Sequence, residues 1–207
     1  DVISALFREA RTPRPHVYIK SLKGLLNAPC DGLSFVRIDI RDFYPSINHD
    51  RLMKKLRRKI RKRQLLQVIQ TAISTPTGEA AEAPKGVPQG LSISNILSSI
   101  YLHQIDKKFR AKYAYYRYVD DILVICASRR ASSIFKEVVR SISSLDLTCH
   151  TLGRAGKSLI VPATEGIDYL GFRLSPGKVS IRTSSFNRMI ENLLGVFTQH
   201  KHAHGPK

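Results

Sequence analysis

The chain has 207 residues, enough for one sizeable domain with a real core. Lys and Arg total 34 against 16 Asp and Glu, a net charge of +18, and 43% of residues are hydrophobic. That balance excludes a disordered chain and points to a folded protein with a polyanionic partner, nucleic acid ahead of an acidic membrane surface. Cys30, Cys126 and Cys149 are odd in number and form no CxxC, which argues against a disulfide framework or a cysteine zinc site. No apolar run reaches the length of a membrane span and no signal peptide is visible, so a cytoplasmic setting without a membrane partner is expected. The first residue is Asp, as expected for a segment of a longer chain.

Residues 1–33 read as irregular, because Pro13, Pro15 and Pro29 interrupt any long helix. Ser34–Ile40 alternates apolar and polar residues and reads as a strand, with Pro45 beyond it. Asn48 or His49 opens a helix whose Leu52, Leu56 and Ile60 share one stripe. Nine of the thirteen residues from Arg51 to Arg63 are Lys or Arg. Leu65–Ile73 continues as helix, and the Pro- and Gly-rich residues 74–90 read as a loop. Ser92–Phe109 reads as a helix with a wide apolar face. Tyr113–Cys126 reads as a β-hairpin with Asp120-Asp121 at or beside its turn. Ala131–Ser144 is a further helix. Ser158–Val161, Tyr169–Leu174 and Val179–Ile181 are short strands, and Ser184–His200 is a closing amphipathic helix. Such an order predicts an α+β fold with an antiparallel sheet.

Acidic residues are scarce, yet two of them interrupt the most apolar hairpin, Tyr118–Ile125. Adjacent carboxylates there repel each other and lose solvation, and a divalent cation would relieve both costs. Asp39, at the end of an apolar strand, is a third. Three carboxylates at adjacent strand ends suit Mg²⁺, a hard cation that takes oxygen ligands. Paired ions of this kind clamp the attacking and leaving oxygens of a phosphoryl transfer. Each feature alone is more simply a turn or a strand terminus; only their combination points to chemistry.

That combination resembles the reverse transcriptase family. Val36–Ile47 (VRIDIRDFYPSI) looks like motif A, Gly86–Ser94 (GVPQGLSIS) like motif B and Tyr118–Asp121 (YVDD) like motif C. Gly156-Lys157-Ser158 resembles motif D, and Tyr169–Phe172 (YLGF) resembles motif E, the primer grip. The resemblance implies a right-hand polymerase palm over residues 34–176 with helices on one face of its sheet. It makes 1–33 a partial fingers flank and 177–207 the start of a thumb and a tail. It implies an RNA-directed DNA polymerase, a nucleotidyltransferase joining deoxynucleotides to a primer 3′-hydroxyl with two Mg²⁺ ions, or Mn²⁺ as substitute. An RNA template and a DNA or RNA primer would be its partners; homo-oligomerisation is left open.

Residue by residue, the resemblance assigns Asp39, Asp120 and Asp121 to catalysis and metal binding, with the Ile40 carbonyl as a further ligand. Tyr44 matches a steric gate against the 2′-hydroxyl, and Gln89 and Gly90 match positions beside the incoming nucleotide. Lys157 matches the proton donor to pyrophosphate. Tyr169, Leu170 and Gly171 match the primer grip. Arg51, Lys54, Lys55 and Arg58 of the basic run are expected on a nucleic-acid backbone. Ser94-Asn95 stands where retron and group II intron enzymes usually have Ser-Pro. Together with the segment from Val179 to Ser185, it is closer to abortive-infection and defence-associated bacterial enzymes, which implies a prokaryotic, antiviral setting. Alternatives within polymerases are untemplated or protein-primed DNA synthesis and RNA synthesis. Outside them stands a catalytically inactive, basic nucleic-acid-binding palm. Two further motifs are set aside. Around Gly156-Lys157-Ser158 a P-loop would need Gly at position 151, where Thr151 stands, and His200, His202 and His204 read as a frayed tail.

Overall fold

The computed structural model describes residues 2–74, 85–153 and 157–203. The part of the Pro- and Gly-rich loop at 75–84, Gly156 of the motif D match and the side chains of the histidine tail lie outside them.

The N-terminal flank is helical where the sequence suggested irregularity. Helix α1 is Val2–Leu6 and α2 is Pro15–Leu26. Pro15 occupies the first turn of α2, where its missing N–H costs nothing and its fixed φ suits the helix. It therefore starts the element it was expected to break. Tyr18, Ile19, Leu22 and Leu26 line the buried side of α2.

Strand β1 (Leu33–Arg41) is the centre of the molecule. After it come α3 (Phe43–Ser46), α4 (His49–Arg57, with the Asn48 side chain accepting from Arg51 N–H at its cap) and α5 (Arg63–Ser74). Helix α6 (Ser94–Arg110) leads into the hairpin of β2 (Ala114–Tyr118) and β3 (Asp121–Ala127), then α7 (Ala131–Ser143). Strands β4 (Thr148–Cys149) and β5 (Leu159–Pro162) complete the first sheet, ordered β2-β3-β1-β4, with β5 also on β1. Every pairing is antiparallel.

The stretch expected as one strand, Tyr169–Leu174, is split. Strand β6 (Ile167–Tyr169) turns at Leu170 and Gly171, both at positive φ, into β7 (Phe172–Ser175), which pairs β8 (Lys178–Ile181). Helix α8 (Thr183–Ala203) closes the chain, with Phe186, Met189, Leu193 and Val196 exposed.

Period-2 alternation divides β1 and β3 between two cores. Val36, Ile38, Ile40, Ile122, Val124 and Cys126 share one core with the apolar sides of α4, α5, α6 and α7. Phe35 and Leu123 face the other way, into a smaller core with α2 and strands β6 and β7. Both faces of the central strands are covered, which is why they read as near-continuous apolar runs.

Candidate active site

The register of β1 on β3 sets Asp39 directly opposite Asp121, so both carboxylates share the sheet face of Phe35 and Leu123. Asp120 lies beside them in the turn. Tyr118 pairs Asp121, leaving Val119 and Asp120 as a two-residue connection. Val119 adopts φ 56°, a left-handed conformation that a β-branched residue enters only under strain. Two hydrogen bonds hold the turn. The Ile40 N–H donates to the Asp120 carbonyl at 3.1 Å, and Arg117 Nη1 donates to the Val119 carbonyl at 2.8 Å.

Arg117 reaches that carbonyl from the opposite sheet face. It is 1% exposed and pairs with Asp106 of α6 through two hydrogen bonds of 2.8 and 2.6 Å. Tyr115 OH donates to the same carboxylate at 2.9 Å. Burial pushes the Asp106 carboxyl up, but the charge and hydrogen bonds of Arg117 outweigh it, and the group ends below its ordinary range. Burial likewise lowers the Arg117 guanidinium, and the Asp106 charge more than restores it.

The three site carboxylates sit in different surroundings. Asp39 is buried, and its Oδ1 accepts no hydrogen bond. Lys157 Nζ, at 3.7 Å, is too far to donate, and His150 Nε2, at 3.2 Å, is not aligned to do so, although both lie within ion-pair range. Asp121 is gripped by Arg37, with Nε on Oδ1 at 2.9 Å and Nη2 on Oδ2 at 2.8 Å. Burial raises the Asp121 pKa, Arg37 opposes the rise, and the charges of Asp39 and Asp120 restore it. For Asp120, burial again comes first and the Asp39 charge adds to it, so this carboxyl too is raised. Among the described residues no three His, Cys, Asp or Glu side chains close into a metal cage. The orphaned Asp39 oxygen and the raised Asp120 nevertheless fit a hard cation with an all-oxygen donor set.

The motif A and motif B segments are stitched together. Gly86 N–H donates to the Ile47 carbonyl at 2.8 Å and Val87 N–H to the Tyr44 carbonyl at 2.9 Å. His49 Nε2 lies 2.5 Å from the Gly86 carbonyl. Gly86 has φ 98°, and a Cβ there would meet the Pro45 carbonyl at 3.4 Å, so glycine lets the two segments close. The Tyr44 ring is half-buried against Phe43, while Gln89 and Gly90 are exposed.

Lys157 is mostly exposed beside Asp39, and the next residue, Ser158, is buried and accepts from the Asp39 N–H at 3.2 Å. The Tyr169 side chain is turned inward. It is 1% exposed, and its hydroxyl donates to the Asp121 carbonyl at 3.3 Å, tying the small sheet to the site; Leu170 and Gly171 form the tip of the turn. In the basic run, Lys55 is turned inward to the Tyr101 carbonyl, and burial, then Arg58 and Arg51, lower its pKa to about 8. Arg51 pairs with Asp146 at 2.7 Å, while Lys54 and Arg58 are exposed.

Sequence reasoning missed Arg37, His150, Ser158 and the Arg117–Asp106 pair. Arg37 was accessible to it: two residues before Asp39 on a strand means the same face. An arginine inside an apolar hairpin was also a signal. His150 carried none, since its place depends on β4 meeting β1 at Ile40↔Cys149.

Antiparallel strands presenting carboxylates at one end, backed by helices, define a polymerase palm. Residues 8–174 match the model of the reverse transcriptase (RNA-dependent DNA polymerase) family, and the chain belongs to that family. It is 38% identical over 74 residues to an uncharacterized 91 kDa protein in the cob intron of Schizosaccharomyces pombe, spanning 33% of this chain and 9% of that protein. Its fold is similar to apo telomerase from Candida tropicalis, with TM-score 0.64 at 15% identity over 89% of this chain and 40% of the other. A telomerase from Candida albicans in complex with a TWJ fragment of telomeric RNA gives TM-score 0.63 at 15% identity, over 87% and 36% of the two chains. The chain thus spans well under two thirds of each.

Proposed function

We propose that this chain is the palm of an RNA-directed DNA polymerase that joins deoxynucleotides to a primer 3′-hydroxyl on an RNA template. The observation that carries the reading is the register that sets Asp39 opposite Asp121, with Asp120 in the adjoining turn and one Asp39 oxygen left without a hydrogen bond. Asp39, Asp120 and the Ile40 carbonyl would hold Mg²⁺, or Mn²⁺ in its place. The ions would supply the charge that activates the 3′-hydroxyl and offsets the phosphates. Asp121 joins this set only when Arg37 lets go. Tyr44 excludes the 2′-hydroxyl, Gln89 and Gly90 border the nucleotide, and Lys157 gives a proton to the departing pyrophosphate. We assign 34–176 to the palm, 1–33 to a fingers flank and 177–207 to the start of a thumb. The Ser94-Asn95 departure supports a defence-associated subgroup, and the match to an intron-encoded protein supports an intron-type one.

The test is primer extension with Mg²⁺ on an RNA template with a DNA primer, beside an Asp120→Asn, Asp121→Asn control. Templated deoxynucleotide addition that the control lacks is expected. Duplex binding without any extension would instead support the inactive nucleic-acid-binding palm, a second reading that the closed Arg37–Asp121 pair favours.

A further inference from the structure

The corner between α4 and α5 carries a charge density that the fold does not use. Of the nine cations from Arg51 to Arg63, three have structural partners: Arg51 on Asp146, Lys55 on the Tyr101 carbonyl and Lys59 on Glu9. The other six, Lys54, Arg57, Arg58, Arg61, Lys62 and Arg63, are exposed, and among the described residues none has an ion-pair partner. Helix stability does not explain them. Arg57 and Arg58 suit the C-terminal end of α4, but Arg61, Lys62 and Arg63 crowd the start of α5, where the helix dipole disfavours cations. The corner is also rigid. Ile60, at 2% exposure, pins it to the core, and the N–H groups of Arg58, Lys59 and Ile60 are all bonded to carbonyls of α4. Six like charges are thus held together at an electrostatic cost that an anionic partner would remove.

Position and composition say which partner. The apolar sides of α4 and α5 belong to the core of Val36, Ile38 and Ile122, on the sheet face opposite Arg37, Asp39 and Asp121. The corner therefore lies behind the catalytic edge rather than in its cleft. No Phe, Tyr or Trp occurs between positions 45 and 100, and His49 is buried, so the corner's own residues offer bases no ring to stack on, which disfavours single strands. The apolar residue of the corner itself, Ile60, is buried, and the exposed Val68 on α5 and Leu6 nearby are single aliphatic side chains without an exposed aromatic beside them, too little to anchor in a membrane. Four of the six cations are arginine, whose guanidinium fork matches phosphate. We infer that the α4–α5 corner binds the phosphate backbone of a double-helical segment of the template RNA, outside the catalytic cleft. The inference rests on the polymerase reading only in naming the template as the source of that RNA.

The test uses the full chain with Arg57, Arg61, Lys62 and Arg63 changed to Gln, positions whose exposure leaves the core intact. Binding of an RNA hairpin of about 20 base pairs is followed by fluorescence anisotropy across a salt series. The slope of log K against log salt should shrink by about 0.9 for each phosphate that the variant no longer neutralises, or roughly 3 to 4 in all. In extension assays, the KM for a template carrying that hairpin beyond its copied stretch should rise at least tenfold. A short template–primer without the hairpin should be extended as by wild type, within twofold. Equal loss on both templates would place the corner in the cleft and overturn the inference. So would unchanged hairpin binding, including the case in which only sedimentation with phosphatidylglycerol vesicles is lost. If wild type extends no primer, the polymerase reading fails, but the anisotropy series still decides whether the corner binds duplex RNA.

Discussion

Replacing Arg117 with methionine should remove much of the chain's stability. The guanidinium is 1% exposed and makes two hydrogen bonds to Asp106, itself 3% exposed, and one to the Val119 carbonyl. Its loss leaves a buried carboxylate without a counter-charge, which costs about 3–5 kcal/mol. For a domain of this size each kcal/mol lowers the melting temperature by about 2–4 °C, so a fall of roughly 6–20 °C is expected. A second variant separates folding from function. Asp106→Leu, Arg117→Met and Tyr115→Phe together remove both charges and the hydroxyl that donates to Asp106, and an apolar cluster of similar volume should recover most of the lost stability. The Val119 carbonyl is then still without its donor, and the left-handed turn is free to relax. Extension at saturating nucleotide should fall at least tenfold, the equivalent of about 1.4 kcal/mol in turn placement, with nucleotide KM unchanged. Thermal melts and single-turnover extension measure the two effects. If Arg117→Met melts like wild type, or the triple variant extends at the wild-type rate, the pair neither stabilises the fold nor positions the turn.

Three further outcomes follow from the site. The Asp120 carboxyl is raised by burial first and then by Asp39, so its charged form costs folding stability at neutral pH. In chelator, Asp120→Asn should therefore melt above wild type at pH 7, with the gap closing as pH falls through the raised value. Adding Mg²⁺ should raise the melting point of wild type more than that of this variant. Tyr44→Ala should raise ribonucleotide incorporation relative to deoxynucleotide, whereas Tyr44→Phe should not; competition between the two nucleotides in primer extension would show it. Lys55 is lowered by burial to about 8 from its ordinary 10.5, so the unfolded chain binds the extra proton between those values and wild-type stability gains with rising pH there. Lys55→Met should lack that gain, which urea titrations at about pH 7.5 and pH 9.5 would reveal by difference.

Where local chemistry decided structure, the sequence was legible. Ser34–Ile40 and the Tyr113–Cys126 hairpin are strands because their alternation and β-branched residues admit little else, and the carboxylates fall at their ends. Pro15 misled because proline breaks a helix only from inside, and nothing local showed that Tyr18, Leu22 and Leu26 had a core to bury against. The single strand expected over Tyr169–Leu174 overlooked Leu170-Gly171 as a two-residue turn, since leucine seldom takes φ 50°. The roles of Lys55 and Tyr169 were beyond reach for another reason. A lysine in a basic run and a tyrosine in a grip motif look solvent-facing until a tertiary neighbour, the Tyr101 carbonyl or the Asp121 carbonyl, claims them.

The two faces of the central sheet divide the work, and the division explains the site's charge balance. On one face Arg117 and Asp106 neutralise each other fully, and the remaining Arg117 hydrogen bond goes to the strained turn. On the other, among the described residues, Arg37 alone hydrogen-bonds to one of the three carboxylates as a cation, Asp121, while Lys157 and His150 approach Asp39 without a hydrogen bond. Asp39 keeps an unbonded oxygen, and Asp120 keeps a raised pKa. A site built for stability would have neutralised these two as completely as Asp106. Leaving them short of positive charge costs the fold stability, a deficit that the divalent ion proposed for this site would relieve, and the buried pair behind the sheet holds the turn in place. The melting temperature of Asp120→Asn tests the first half of this division, and the extension rate of the Asp106, Tyr115 and Arg117 triple variant tests the second.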